Sequence, residues 1–291
     1  MRASATTSYD EPFAWWGPVW NTPTPRSVLN LIGGGVLSTE TAALLWALLH
    51  RRASLAVVAG PSGAGKTTLL TALLDFLPPG TRRLYLRGCY EPFAFLDDPA
   101  VDPLRSVLLA NEISAHLPSY LWGPGVRRVL AATDRGFALA ATLHATSATE
   151  MVGSLAGFPL RVPPAEVALL DVVVVLEARA LGGQILREVG SVAMLTAIPG
   201  GGVSVATVAG RPAFGAPLVI DPECVAAVAT RLGWVDEARA VGREIAARAV
   251  VLGELALSPP ADLAVALATA GRRWDPQPPS NDPGFPVFPR R

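Results

Sequence analysis

The stretch Gly60-Pro-Ser-Gly-Ala-Gly-Lys-Thr67 fits the spacing GxxxxGK[ST] in full. Gly60, Gly63 and Gly65 let the backbone curl so that successive N–H groups face one point, a geometry suited to phosphate oxygens. Pro61, Ser62 and Ala64 complete the loop, and Lys66 is placed to meet the β- and γ-phosphates. The Thr67 hydroxyl is a ligand for Mg²⁺, with Thr68 closing the binding stretch. The chemistry predicted is capture of a nucleoside triphosphate, ATP with Mg²⁺.

That chemistry needs a strand to end before the loop and a helix to begin after it. Residues 54–59, SLAVVA, form a short β-prone run bounded by glycine, the pattern of a buried parallel strand. A helix is expected over 66–77, stopped by Pro78 and Pro79. The phosphates would then lie at a helix N-terminus, where free N–H groups and the helix dipole favour anions. Upstream, 38–51 reads as a helix with Ser38 or Thr39 as its cap and leucines at helical spacing. Further strands are expected at 83–86, 106–110, 137–143 and 172–176, and a helix at 125–134. Strands alternating with helices predict an α/β fold with a mainly parallel sheet covered on both faces. Short strands at 184–189, 192–197 and 203–208 then suggest a small β-meander, with Pro199-Gly-Gly-Gly202 as a turn. Ala-rich segments at 222–257 and 261–270 read as helices. The expected organisation is an irregular arm over 1–27, a core with its hairpin over 28–211, a helical extension over 212–271 and a Pro-rich disordered tail over 272–291. In the arm, Trp15, Trp16 and Trp20 can pack on the body or form a binding surface.

The chain has 291 residues, 51% apolar and 16% charged, enough to bury a sizeable core. Formal net charge is zero, so nothing in the overall charge calls for nucleic acid. Cys89 and Cys224 stand far apart without CxxC spacing, which excludes a disulfide framework and a Cys-based zinc site and fits a reducing cytosol. No secretory signal opens the chain, and its apolar runs stop short of a membrane span.

Four segments, in order, carry a resemblance. Residues 31–40, LIGGGVLSTE, precede the helix, strand and loop; 137–148, FALAATLHATSA, form a strand ending in a His box. Next come 162–176, VPPAEVALLDVVVVL, with 186–189, LREV; then 243–252, REIAARAVVL. Over 28–271 the chain resembles the motor ATPases of type II and type IV secretion, type IV pili and archaeal surface filaments. The resemblance implies a RecA-like P-loop core and ATP hydrolysis by a hexameric ring. It also implies a partner in an integral membrane platform protein and a cytoplasmic location at the inner face of the membrane. It makes Glu112, at the end of 106–112 (SVLLANE), the residue that orders the attacking water or helps hold Mg²⁺. A solvated loop glutamate is the alternative. His144 becomes the γ-phosphate sensor, or else a structural histidine. Glu91, within 84–91 (LYLRGCYE), is the only close candidate for the second catalytic carboxylate.

Two features depart from the pattern. The arginine that usually follows the Walker B glutamate is absent, the chain running Asn111-Glu-Ile-Ser-Ala-His116. Among Arg87, Arg105, Arg127 and Arg128, no spacing selects one that reaches a neighbouring subunit. These departures keep a second possibility open, a catalytically weak nucleotide-binding regulator or adaptor that assembles with an active paralogue. A small-molecule P-loop kinase is a third, against which the His box argues.

Overall fold

The computed structural model describes residues 9–12, 14–16, 25–60, 62–221, 224 and 238–274. The expectations placed on Pro61, Trp20, most of 222–237 and 275–291 lie outside these residues.

An eight-stranded sheet in the order β2-β3-β4-β1-β5-β6-β7-β8 forms the body. Its strands are β1 (Leu55–Ala59), β2 (Arg82–Tyr85), β3 (Ser106–Ala110), β4 (Ala138–His144), β5 (Val172–Leu181), β6 (Gln184–Ile198), β7 (Gly202–Gly210) and β8 (Val219–Ile220). The pairs from β2 through β3, β4 and β1 to β5 are parallel, whereas β5 through β8 are antiparallel. This is the mixed, largely parallel α/β sheet expected of a RecA-like core. Every residue of β1 and β3 is buried, as strands covered on both faces must be.

Alternation along β1 splits the core in two. Leu55, Val57 and Ala59 join one apolar cluster, Ala56 and Val58 the other. The first face is covered by α1 (Val28–Gly33), α2 (Thr39–His50), α3 (Lys66–Leu73), α7 (Ala238–Leu257) and α8 (Leu263–Gly271). The second is covered by α4 (Pro124–Asp134), α5 (Ala148–Ala156) and α6 (Pro164–Val167). Ser38 caps α2 by accepting from the Thr41 N–H, as its position predicts. Asp171, which interrupts the apolar run before β5, is buried and accepts from the Ser54 N–H, tying the start of β5 to the start of β1.

Two expectations need correction. The strands expected at 184–189 and 192–197 are one continuous β6. Gly190 between them does not turn the chain; a Cβ there would come within 2.5 Å of the Glu177 carboxylate, so the glycine marks a close approach inside a strand. The meander follows the parallel strands as expected, and β6 to β8 extend the main sheet. The helix after the loop ends at Leu73 and tightens into a 3₁₀ turn over Leu74–Phe76, before the prolines.

The arm packs on the body where it is described. Trp15 is buried, donates from Nε1 to the Thr71 hydroxyl of α3 and meets Tyr85 edge-to-face. Asp10 pairs with Arg82, and the Tyr85 N–H donates to the Tyr9 carbonyl.

Candidate nucleotide site

Strand order assembles the site. In a parallel sheet the loop after each strand emerges at the carboxyl edge, and β4 lies between β1 and β3. The phosphate loop leaves β1, His144 ends β4 and Glu112 comes just after β3. Residues 60, 112 and 144 are far apart in sequence and meet there because Ala59 pairs with His144, and Ala110 with Ala141.

The loop has the backbone its glycines predict. Gly63 and Gly65 have φ of +73° and +101°, a region costly for side-chain-bearing residues. A Cβ on Gly60 would approach Thr146 to 2.9 Å. Gly65 caps α3 without any side-chain hydrogen bond, so the first-turn N–H groups remain open to an anion.

Lys66, Glu112 and His144 converge on this loop. Lys66 and Glu112 are buried, and His144 is half-buried. Lys66 Nζ lies 3.6 Å from Glu112 Oε2 and 3.3 Å from His144 Nδ1. His144 Nδ1 is 3.1 Å from the Gly60 carbonyl oxygen, which only accepts, and both ring nitrogens lie within 3.4 Å of the Lys66 ammonium, which only donates, so the ring is held between the two. Nε2 stands 2.9 Å from Glu112 Oε1, an ion-pair distance without hydrogen-bond alignment, and that buried oxygen has no hydrogen-bond partner. Burial pushes the Lys66 ammonium below its usual pKa, partly opposed by the nearby Glu112 carboxylate. An ammonium under that strain is ready to exchange its present company for phosphate.

Two cavities flank the loop. One, of about 500 Å³, is lined by Trp16, Lys66, Thr67, Glu112 and Tyr120. The other, of about 530 Å³, lies against Leu31, Val36, Leu69, Leu176, Arg187 and Phe214. The first collects the groups suited to terminal phosphate and cation; the second mixes apolar side chains such as Leu69 and Phe214 with the charged Arg26, Arg187 and Glu188. Thr67 and Glu112 share the first cavity, and the unpartnered Oε1 of Glu112 is an oxygen donor of the kind Mg²⁺ takes. Mg²⁺ held there would neutralise charge on the phosphates.

Glu91 is not part of this cavity lining. It is buried, and its two oxygens accept from the N–H groups of Arg87 and Phe93. It thereby shapes the loop that receives the segment after Glu112: the Cys89 N–H donates to the Pro118 carbonyl, and a Cβ on Gly88 would collide with Ser119. Among the expected arginines, Arg127 pairs with Glu166 and Arg128 lies over the Phe93 ring.

The sequence reading missed Arg187. From β6 its Nε donates to the Ala64 carbonyl at 2.9 Å, and its Nη2 to the Gly63 carbonyl at 3.3 Å. An arginine thus clamps the outer side of the phosphate loop. The motif LREV contained it, but only the sheet's antiparallel extension reveals its target.

No family model matches the chain. The uncharacterized protein MJ0900 of Methanocaldococcus jannaschii is 31% identical over 195 residues, covering 59% of this chain and 34% of MJ0900. The uncharacterized protein MJ1287 of the same organism is 25% identical over 179 residues, covering 56% of this chain and 66% of MJ1287. The chain thus spans about a third of the first relative's length and just under two thirds of the second's. Among solved structures, the VirB11 ATPase of the Brucella suis type IV secretion system aligns with TM-score 0.38 and 18% identity, over 60% of this chain and 64% of that one. The Legionella pneumophila ATPase DotB aligns with TM-score 0.38 and 11% identity, over 86% and 62%. Among the described residues, no helix is long and apolar enough to cross a membrane.

Proposed function

We propose that the chain binds Mg-ATP and hydrolyses it as the motor of a pilus, filament or secretion assembly. The observation that carries the reading is the convergence of Lys66, Glu112 and His144 at the mouth of a phosphate loop whose helix N-terminus is open. Lys66 would pair with the terminal phosphates, Thr67 and Glu112 would hold Mg²⁺, and Glu112 would orient the attacking water. The base would lie in the second cavity, against Leu69 and Phe214. His144 bridges the Gly60 carbonyl and Glu112, so loss of the γ-phosphate would be felt directly at β4. In the proposed assembly the nucleotide is closed by a neighbouring subunit of a hexameric ring, which works on an integral membrane platform protein.

One observation favours the alternative of a weakly hydrolysing regulator. Each oxygen of Glu91 accepts from a backbone N–H of its own loop and Glu91 stands outside the lining of the Lys66 cavity, which favours Glu112 acting without a second carboxylate from that loop. Glu112→Gln decides between the two. For a motor, ATP affinity should persist while Mg-ATP turnover falls by roughly 10²- to 10⁴-fold. Turnover that is negligible in the parent chain and unchanged in the variant would establish the regulator.

A further inference from the structure

Two of the chain's three histidines, His116 and His144, meet beside Glu112. The rings lie 5.8 Å apart, edge to face, and one ligand atom from each of the three residues falls within 4.8 Å of the others. Among the described residues this is the one group of three such side chains able to surround a cation. The family resemblance gives no reason for a histidine at 116, in the segment that departs from the usual Walker B continuation.

We propose that Glu112, His116 and His144 form a site for Zn²⁺, occupied when nucleotide is absent and exclusive of productive Mg-ATP. Two imidazoles and one carboxylate suit a borderline ion of this kind, whereas Mg²⁺ prefers oxygen alone. The outer shell is already in place. His144 Nδ1 lies 3.1 Å from the Gly60 carbonyl; with the ammonium displaced and a proton on Nδ1, this contact would fix the ring and turn the Nε2 lone pair inward, the arrangement common to zinc-bound histidines. Glu112 contributes a buried oxygen with no hydrogen-bond partner, facing that same Nε2. A tetrahedral ion with bonds of about 2.0–2.2 Å needs ligand atoms roughly 3.4 Å apart. His116 is exposed, so side-chain rotation can supply the remaining approach without disturbing the core. The fourth position stays open to water.

Lys66 is the competing cation, since its ammonium faces both Glu112 and His144. Its Nζ lies 3.6 Å from the Glu112 carboxylate and 3.3 Å from His144, so Zn²⁺ entering between these groups would displace the ammonium. The ion would also draw the Glu112 carboxylate away from water and Mg²⁺. That inhibitory consequence rests on the hydrolytic reading above; the binding itself does not.

The test uses the untagged full chain without nucleotide, titrated with Zn²⁺ by calorimetry and with Co²⁺ by visible absorption. One equivalent should bind, with Co²⁺ giving the intense visible bands of a four-coordinate site. His116→Ala should weaken Zn²⁺ binding at least roughly tenfold, the lower bound seen even for outer-shell partners. Its Mg-ATP turnover in the absence of Zn²⁺ should match the parent's, and its melting temperature should show that it folds. His116→Asn repeats the comparison with a side chain nearer in size and polarity. Failure of either ion to bind stoichiometrically, or equal binding by the parent and both folded variants, overturns the site. If the ion binds and needs His116 but no variant hydrolyses ATP, the motor reading fails while the zinc site stands.

Discussion

Two clusters of buried charge can be compared, one under the phosphate loop and one between α2 and α7. In the second, Arg248 is fully buried and its guanidinium lies over the rings of Trp46 and Trp274, at 4.6 and 4.2 Å. Its Nη2 is 2.7 Å from Glu244 Oε1, its Nε donates to the same oxygen, and Nη2 is 3.4 Å from His50 Nδ1. Arg51 pairs with Glu244 as well. Burial pulls the Arg248 pKa down to about 10, with Glu244 pulling the other way. Here the charges are closed in by aromatics and by each other, although Arg248 Nη1 has no hydrogen-bond partner and a cavity of about 300 Å³ lies against Trp46 and His50. The loop cluster differs in what its charged groups face. Its carboxylate also has an oxygen without a hydrogen-bond partner, its lysine is shared between two groups at loose distances, and both line a cavity of about 500 Å³. Each cluster leaves one polar atom unbonded, but only for the loop cluster do the lysine and carboxylate themselves line a described cavity that a ligand can enter.

The comparison breaks most severely at Glu244. Glu244→Leu leaves Arg248 buried without its counter-charge, and removing one partner of a buried pair costs about 3–5 kcal/mol. Thermal unfolding should show that loss, while the folded fraction binds ATP normally. Lys66→Ala should do the reverse. Its ammonium contributes hydrogen bonds to charged phosphate worth about 1.5–3 kcal/mol, roughly ten- to a hundredfold in ATP affinity. Its melting temperature should fall by less than that of Glu244→Leu, because the Glu112 carboxylate left behind lines a cavity through which water can reach it. If Lys66→Ala melts early and binds ATP as the parent does, the loop cluster is structural and the contrast disappears.

Local signals made most of this legible. The glycines and Lys66 lie in one short stretch, and the apolar runs of β1, β3, β4 and the first half of β5 declare burial on both faces by composition. The end of a strand also marks Glu112 and His144 as carboxyl-edge residues, once a parallel sheet is assumed. What stayed hidden depends on contacts distant in sequence. Arg187 reaches the loop across 123 residues, and nothing in LREV tells that its partners are the Ala64 and Gly63 carbonyls. The resemblance makes Glu91 the only close candidate for a second catalytic carboxylate, and nothing in 84–91 tells that its oxygens accept from the N–H groups of Arg87 and Phe93. Gly190 resembled a break because glycine ends strands as often as it permits close packing within one.

A finer cut through the loop cluster is His144→Ala. Point changes at such a half-buried position commonly cost about 1 kcal/mol of stability. ATP affinity should stay near normal because Lys66 and the loop N–H groups remain. Turnover should fall by much more than stability predicts, since the link from Gly60 through the imidazole to Glu112 is gone. Affinity, turnover and melting temperature measured on one preparation decide the matter. A variant that is only less stable, with turnover per folded molecule unchanged, sinks the sensor role.

The smallest effect should come from erasing the Glu244–Arg248 ion pair altogether. Glu244→Leu with Arg248→Met removes both partners at once, so no charge at these two positions is left buried alone. Arg51 can turn outward, since its side chain already keeps 14% of its exposure. Methionine is unbranched and polarizable, and its thioether can lie against Trp46 and Trp274 where the guanidinium lay. Replacing a buried ion pair by apolar side chains of similar volume is commonly neutral or stabilising by about 1–4 kcal/mol. The double variant should therefore melt at or above the parent's temperature, although Glu244→Leu alone melts far below it. That non-additivity, read from the two single variants and the double, measures the coupling between the charges. A double variant as unstable as Glu244→Leu would mean that the guanidinium's stacking on the two tryptophans, rather than its ion pair, holds α7 against α2.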